Sequence, residues 1–166
     1  MSEVPRPERP GDTAAIHALD TGAFGRAAEA DLVEALRAAH ALDTSLVVER
    51  AGRIAGHVAL SPVSVQGAFM PGILGLAPLA VAPDCQRQGI GARLVEAALA
   101  AAKAGGGKVV VVLGDAAYYR RFGFRPAADM GLTCPWPGTD ETFQALILAS
   151  PWPRGLVRYH AAFDRV

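Results

Sequence analysis

The stretch Val81-Ala82-Pro83-Asp84-Cys85-Gln86-Arg87-Gln88-Gly89-Ile90-Gly91-Ala92-Arg93-Leu94 has the makings of an anion site. An apolar run ends in a turn, and two glycines then open a helix. A helix N-terminus presents unpaired N–H groups and partial positive charge, and glycine lets a phosphate approach the backbone closely. The same glycines also suit the close packing of a helix on a sheet, so the residues alone support both readings. Other phosphate cradles fail on spacing: no Gly-Lys-Ser/Thr follows, and the third glycine of the dinucleotide fingerprint is missing. Cys85 has no acidic or histidine neighbour on its helix side that would make it a nucleophile, and it reads as structural.

The elements around this stretch place it in a βαβ unit. Residues 73–82 form an apolar run that suits a strand covered on both faces, yet Pro78 cannot donate a ladder hydrogen bond, which predicts a bulge or splay. Residues 89–103 are the clearest helix, with Ile90, Leu94, Ala97, Ala98 and Ala101 on one face. Gly105-Gly106-Gly107 stops it, and residues 108–113, with Val109 to Val112 in succession, make the next strand, parallel to the first. A short helix follows at 116–121. Upstream, two short helices begin near Asp12 and Ala27, and residues 45–50 and 54–61 read as a hairpin turning at Ala51-Gly52-Arg53. Beyond Pro126 only residues 143–149, and a last extended stretch at 156–159, read as strands.

Composition narrows the class. The 166 residues are 51% hydrophobic and 19% charged, which predicts one globular domain spanning 1–166. Sixteen basic against sixteen acidic residues give no net charge, which argues against a nucleic-acid partner. The two cysteines, Cys85 and Cys134, lie far apart with no Cys/His cluster, so neither a disulfide framework nor a metal site is expected, and a cytoplasmic setting fits. Pro5, Pro7 and Pro10 with interleaved charges occupy the place of a leader's apolar core, and no apolar run is long enough to span a membrane.

Gln86-x-x-Gly89-x-Gly91 after a short apolar strand, followed by Tyr119-x-x-x-Gly123-Phe124, resembles the acetyl-CoA-binding signature of the GNAT superfamily of N-acetyltransferases. Leu79-Ala80-Val81-Ala82-Pro83, Val112-Leu113-Gly114-Asp115, Gly56-His57 and Ser61 are similar to a branch of small bacterial single-domain members. The resemblance implies an α/β fold with a mixed, mostly antiparallel sheet, splayed at its centre and flanked by helices. It implies acetyl-CoA as cosubstrate without a metal, and direct transfer in a ternary complex to a small amine or a peptide. A homodimer is compatible with it. The cofactor's arm would pass between the splayed strands beside Leu79 and Ala80. The loop of Gln86, Arg87, Gln88, Gly89, Ile90, Gly91 and Ala92 would hold the pyrophosphate, and the amide of Val81 would face the thioester oxygen. Tyr119 would reprotonate the departing thiolate, with a packed aromatic as the alternative. The family often carries a carboxylate base on the strand that here reads 74–82, which has no acid or histidine. His57 shares a strand face with Ser61 and is one candidate base, or a histidine satisfied within the sheet; Asp115, or a cap on the next helix, is another; water is the third. Trp136 and Trp152 either wall the acceptor site or cover the sheet. A non-catalytic acyl-CoA sensor, with the cradle kept and the chemistry lost, and a nucleotide-binding interaction domain are the rival functions.

Overall fold

The computed structural model of the chain describes residues 3–68 and 70–166. The extended lead-in becomes a short edge strand β1 (Arg6–Pro7), paired with residues of the later hairpin. Helix α1 (Thr13–Phe24) turns Ile16 and Leu19 inward and ends on Gly25, whose left-handed φ of 71° a side chain would resist. Helix α2 (Ala28–Ala38) buries Leu32, Val33 and Leu36, with acids in its first turn and Arg37 in its last, as the helix dipole favours. Strands β2 (Thr44–Arg50) and β3 (Arg53–Pro62) form the expected hairpin, but its turn is tighter than the sequence suggests. Arg53 already pairs with Arg50, and Ala51 and Gly52 both take positive φ, the backbone that matches strand twist.

After β4 (Ser64–Val65) come β5 (Ile73–Val81), helix α3 (Ile90–Ala104) and β6 (Val109–Leu113), the expected βαβ unit with parallel strands. Helix α4 (Ala116–Arg120), β7 (Arg125–Pro126), β8 (Leu132–Thr133), β9 (Phe143–Ile147) and β10 (Gly155–Arg158) complete the order. The main sheet has seven strands in the order β1-β2-β3-β5-β6-β9-β7. Strands β4, β10 and β8 make a separate three-stranded sheet that the sequence does not announce.

Alternation along the strands assigns the faces. A Cβ on Gly56 would stand 2.6 Å from Ile90 and 2.8 Å from Leu94, so glycine is what lets α3 lie directly on β3. The neighbouring His57 points the other way, to Asp20 of α1. Helix α3 thus covers one face of the hairpin and α1 the other. Within α3 the buried stripe is Ile90, Leu94, Val95, Ala98 and Ala102. Ala101, expected inside, is exposed, because the helix docks about one residue's rotation from the face read off the sequence.

The break in β5 is where Pro78 predicts it. Val58 faces Leu79 and Leu60 faces Leu76, so Ala77 and Pro78 together oppose Ala59 in a bulge. On its other edge β5 pairs with β6 only from Ile73↔Val109 to Leu76↔Val112. Beyond Leu76 the two central strands part.

Candidate active site

The splay leaves backbone groups open. In an antiparallel pair, successive residues alternate between facing their partner and facing away. Ala82 donates to Ala55 at 2.8 Å, which sets the phase. The backbone of Ala80, level with His57, therefore turns into β3, while the amides of Leu79 and Val81 turn toward the gap beside β6. Of the three positions picked out on this strand, Leu79 and Val81 offer N–H groups to a ligand. Ala80 does not.

The loop after β5 continues the open backbone. Arg87 and Gly89 adopt positive φ, 61° and 88°, and Gly89 caps α3. Among the described residues, the amides of Arg87, Gln88, Gly89, Ile90, Gly91 and Ala92 donate no hydrogen bond. Side chains brace this loop rather than fill it: Gln86 Nε2 donates to the Val81 carbonyl at 3.2 Å, Gln88 Nε2 to the Asp84 carbonyl at 3.4 Å, and Arg50 to Gln88 Oε1 at 2.6 Å. Ile90 contributes its amide alone, since its side chain is buried against β3. The Arg87 side chain is exposed, and Arg93 is paired with Glu3 at 2.6 Å. A run of unspent donors at a helix N-terminus fits a pyrophosphate.

A cleft of about 590 Å³ opens where β5 and β6 part, with Leu76 to Leu79, Leu113, Tyr118 and Tyr119 in its lining. Asp115 caps α4 by accepting from the Ala117 amide at 2.9 Å, so its carboxylate serves the helix that carries both tyrosines. Tyr119 is 8% exposed and packs edge-on against Phe124 and over Gly114, where any Cβ would strike its ring. Burial pushes its hydroxyl above the ordinary tyrosine range, so it stays protonated. Tyr118 is half-buried beneath the Arg121 guanidinium, 4.6 Å from its ring centre. Its hydroxyl would stand 2.9 Å from a Cβ on Gly91, so this tyrosine spans from α4 to the first turn of α3.

His57 does not reach the cleft. It is fully buried, with Nδ1 3.2 Å from Asp20 and Nε2 2.9 Å from Ser45, which in turn donates to Glu8. Both ring nitrogens are spent on partners inside the fold, and α1 closes over them, so the satisfied-histidine alternative holds. Ser61 is likewise buried. Trp136 lines the cleft, whereas Trp152 bonds the Met130 carbonyl and packs beneath the small sheet. Glu29, in the first turn of α2, also lines the cleft, and sequence reasoning passed over it because an acid there is explained by the helix dipole.

Comparisons with known proteins agree with this geometry. The model of the acetyltransferase (GNAT) domain matches residues 41–126. The uncharacterized N-acetyltransferase YhbS of Escherichia coli is 43% identical over 96% of this chain and 98% of its own. The crystal structure of YhbS in complex with CoA superposes with a TM-score of 0.92 at 42% identity, covering 98% of this chain and 92% of that one. A GNAT family acetyltransferase from Brucella melitensis in complex with acetyl-CoA gives 0.83 at 41% identity, covering 96% and 97%. No helix among the described residues is long and apolar enough to cross a membrane. Matched by this domain across its centre and sharing 43% of its residues with a relative along 96% of its length, the chain belongs to the GNAT acetyltransferase family.

Proposed function

We propose that the protein moves an acetyl group from acetyl-CoA to a primary amine by direct attack within a ternary complex. The observation that carries this reading is the continuity of unspent backbone donors, from the amides of Leu79 and Val81 to those of Arg87 through Ala92, leading into a cleft lined by Tyr119. The binding of CoA and of acetyl-CoA by relatives of this similarity supports it.

Acetyl-CoA supplies an activated thioester, and the chain's residues do the rest. The loop amides hold phosphate, helped by the positive end of α3. The Leu79 amide pairs with the cofactor's arm much as a strand would. The Val81 amide stabilises the carbonyl oxygen as negative charge grows on it. Tyr119, kept protonated by burial, gives its proton to the departing sulfur. His57 is sealed in the core, Asp115 spends one carboxylate oxygen on the α4 cap, and neither is among the residues that line the cleft.

Thiol release from acetyl-CoA across a panel of primary amines tests the reading. Amine-dependent release that falls sharply in Tyr119→Phe is expected. Tight binding of acetyl-CoA with no release for any amine would reduce the protein to a cofactor-binding module.

A further inference from the structure

The cleft's charge pattern stands out against its apolar lining. Arg26 and Glu29 are the charged side chains that line it. The Glu29 side chain is 10% exposed, and Arg26 grips it with Nε 3.1 Å from both oxygens and Nη2 2.5 Å from Oε1. The Arg26 side chain is 60% exposed, so part of its guanidinium remains available. Leu32, Trp136, Tyr159 and Phe163 line the same cleft, the last three as a chain of tilted rings with centres 4.8 and 4.9 Å apart.

A pair that already balances itself restricts what can enter. A simple ammonium bound at Glu29 sets a positive charge beside the Arg26 guanidinium with nothing of its own to face that cation, and a polyamine brings more; like charges side by side in an apolar cleft are costly. A zwitterion brings its own counter-charge. With its ammonium on Glu29 and its carboxylate on the remaining donors of Arg26, each of its charges faces its opposite. An α-amino acid carries both groups on one carbon, which suits two protein groups that touch each other. The tilted rings offer an apolar wall for a large side chain.

We propose that the acceptor is a free α-amino acid with a large apolar side chain, its amine held by Glu29 and its carboxylate by Arg26; this rests on the acetyl-transfer reading above. The nitrogen forms its bond to the acetyl carbon as the carbon–sulfur bond breaks and the sulfur leaves with the electron pair. Of the two protons the ammonium sheds, one passes by way of Glu29 to solvent, and the other replaces the proton that Tyr119 gives to sulfur.

The test compares L-phenylalanine with 2-phenylethylamine, which has the same ring without the carboxylate, and with glycine and spermidine. Thiol release is followed alongside calorimetric binding of L-phenylalanine to the CoA-loaded protein. Phenylalanine is expected to exceed the other three in kcat/KM by about ten-fold or more, the scale of one charged hydrogen-bonding group. Arg26→Gln should raise KM for phenylalanine by about ten-fold while leaving KM for 2-phenylethylamine unchanged or lower, since the cation beside its ammonium is gone, and Glu29→Gln should weaken both, with CoA affinity unchanged in each variant. Preference for 2-phenylethylamine or spermidine, equal effects of Arg26→Gln on both aromatic amines, or no binding of phenylalanine would overturn the proposal. Absence of thiol release with every amine, while phenylalanine still binds and Arg26→Gln weakens that binding, would instead count against acetyl transfer and leave the amino-acid site standing.

Discussion

Gly91 carries opposing consequences that a single methyl group separates. Its φ lies in the ordinary range and it sits in the first turn of α3, where replacing glycine by alanine stabilises a helix by about 0.5–1 kcal/mol. The added Cβ, however, would stand 2.9 Å from the Tyr118 hydroxyl and 3.7 Å from Val81. The second contact is ordinary; the first requires the tip of a half-buried tyrosine to give way. That costs an amount comparable to the helix gain, so Gly91→Ala alone should change stability by less than about 0.5 kcal/mol, whereas the same change in a Tyr118→Phe background should gain the full 0.5–1 kcal/mol. At about 2–4 °C per kcal/mol for a chain of this size, thermal unfolding resolves the difference, and the double-mutant cycle should show a coupling beyond the ~0.3–0.5 kcal/mol within which independent sites add. CoA affinity, measured by calorimetry on the same proteins, should fall for Gly91→Val in both backgrounds, because the larger side chain intrudes beside the open amides. Additive stabilities would mean that Tyr118 does not reach α3, and an unchanged CoA affinity in Gly91→Val would remove the cradle.

Tyr119→Phe should lower kcat roughly ten- to a hundred-fold with little change in acetyl-CoA affinity, because a thiolate leaves readily even without help; equal loss from Tyr118→Phe, seen in steady-state kinetics, would point to packing instead. Arg87→Ala should weaken CoA by less than about ten-fold by calorimetry, since the backbone donors remain and the guanidinium is solvated. His57→Ala should cost roughly 3 kcal/mol or more in denaturant unfolding, leaving Asp20 buried without its partner, while the folded fraction binds CoA normally. For Glu8, burial opposes ionisation, but bonds from Arg37 and Ser45 outweigh it and depress its pKa. The stability it contributes is present above the ordinary glutamate range and is lost as pH falls through its lowered value, so the advantage of the native chain over Glu8→Gln should shrink on acidification in chemical unfolding.

What the sequence displays well is what short-range spacing encodes. The valines of β6, the glycine-punctuated start of α3 and the proline in β5 each carry their consequence within a few residues, and together they predict the splay. Pro78 could not sit in an unbroken ladder, and the bulge at Ala77-Pro78 answers it. His57 shows where this logic stops. Period two places it correctly beside Ser61 on one strand face, but which face looks on the cleft depends on where α1 docks, and nothing in β3 specifies that. Glu29 is hidden for a related reason: its seat in the cleft is completed by Trp136, Tyr159 and Phe163, from distant parts of the chain. The small sheet escapes because strands as short as Ser64–Val65 and Leu132–Thr133 have no period to read.

The open edge of β5 also has a metabolic consequence on the reading proposed above. Its Val81 amide alone would meet the acetyl group; its Leu79 amide, like those of the loop before α3, would bond to the arm and phosphates of the cofactor, and those parts are identical in the acetylated donor and in the spent thiol. Binding energy drawn from them favours donor and product alike and gives the protein little means of telling one from the other. Product would therefore compete with donor on nearly equal terms. An enzyme built in this way responds to the ratio of acetylated to free coenzyme in its surroundings more than to the amount of donor, so its output follows the acetyl charge of the cell.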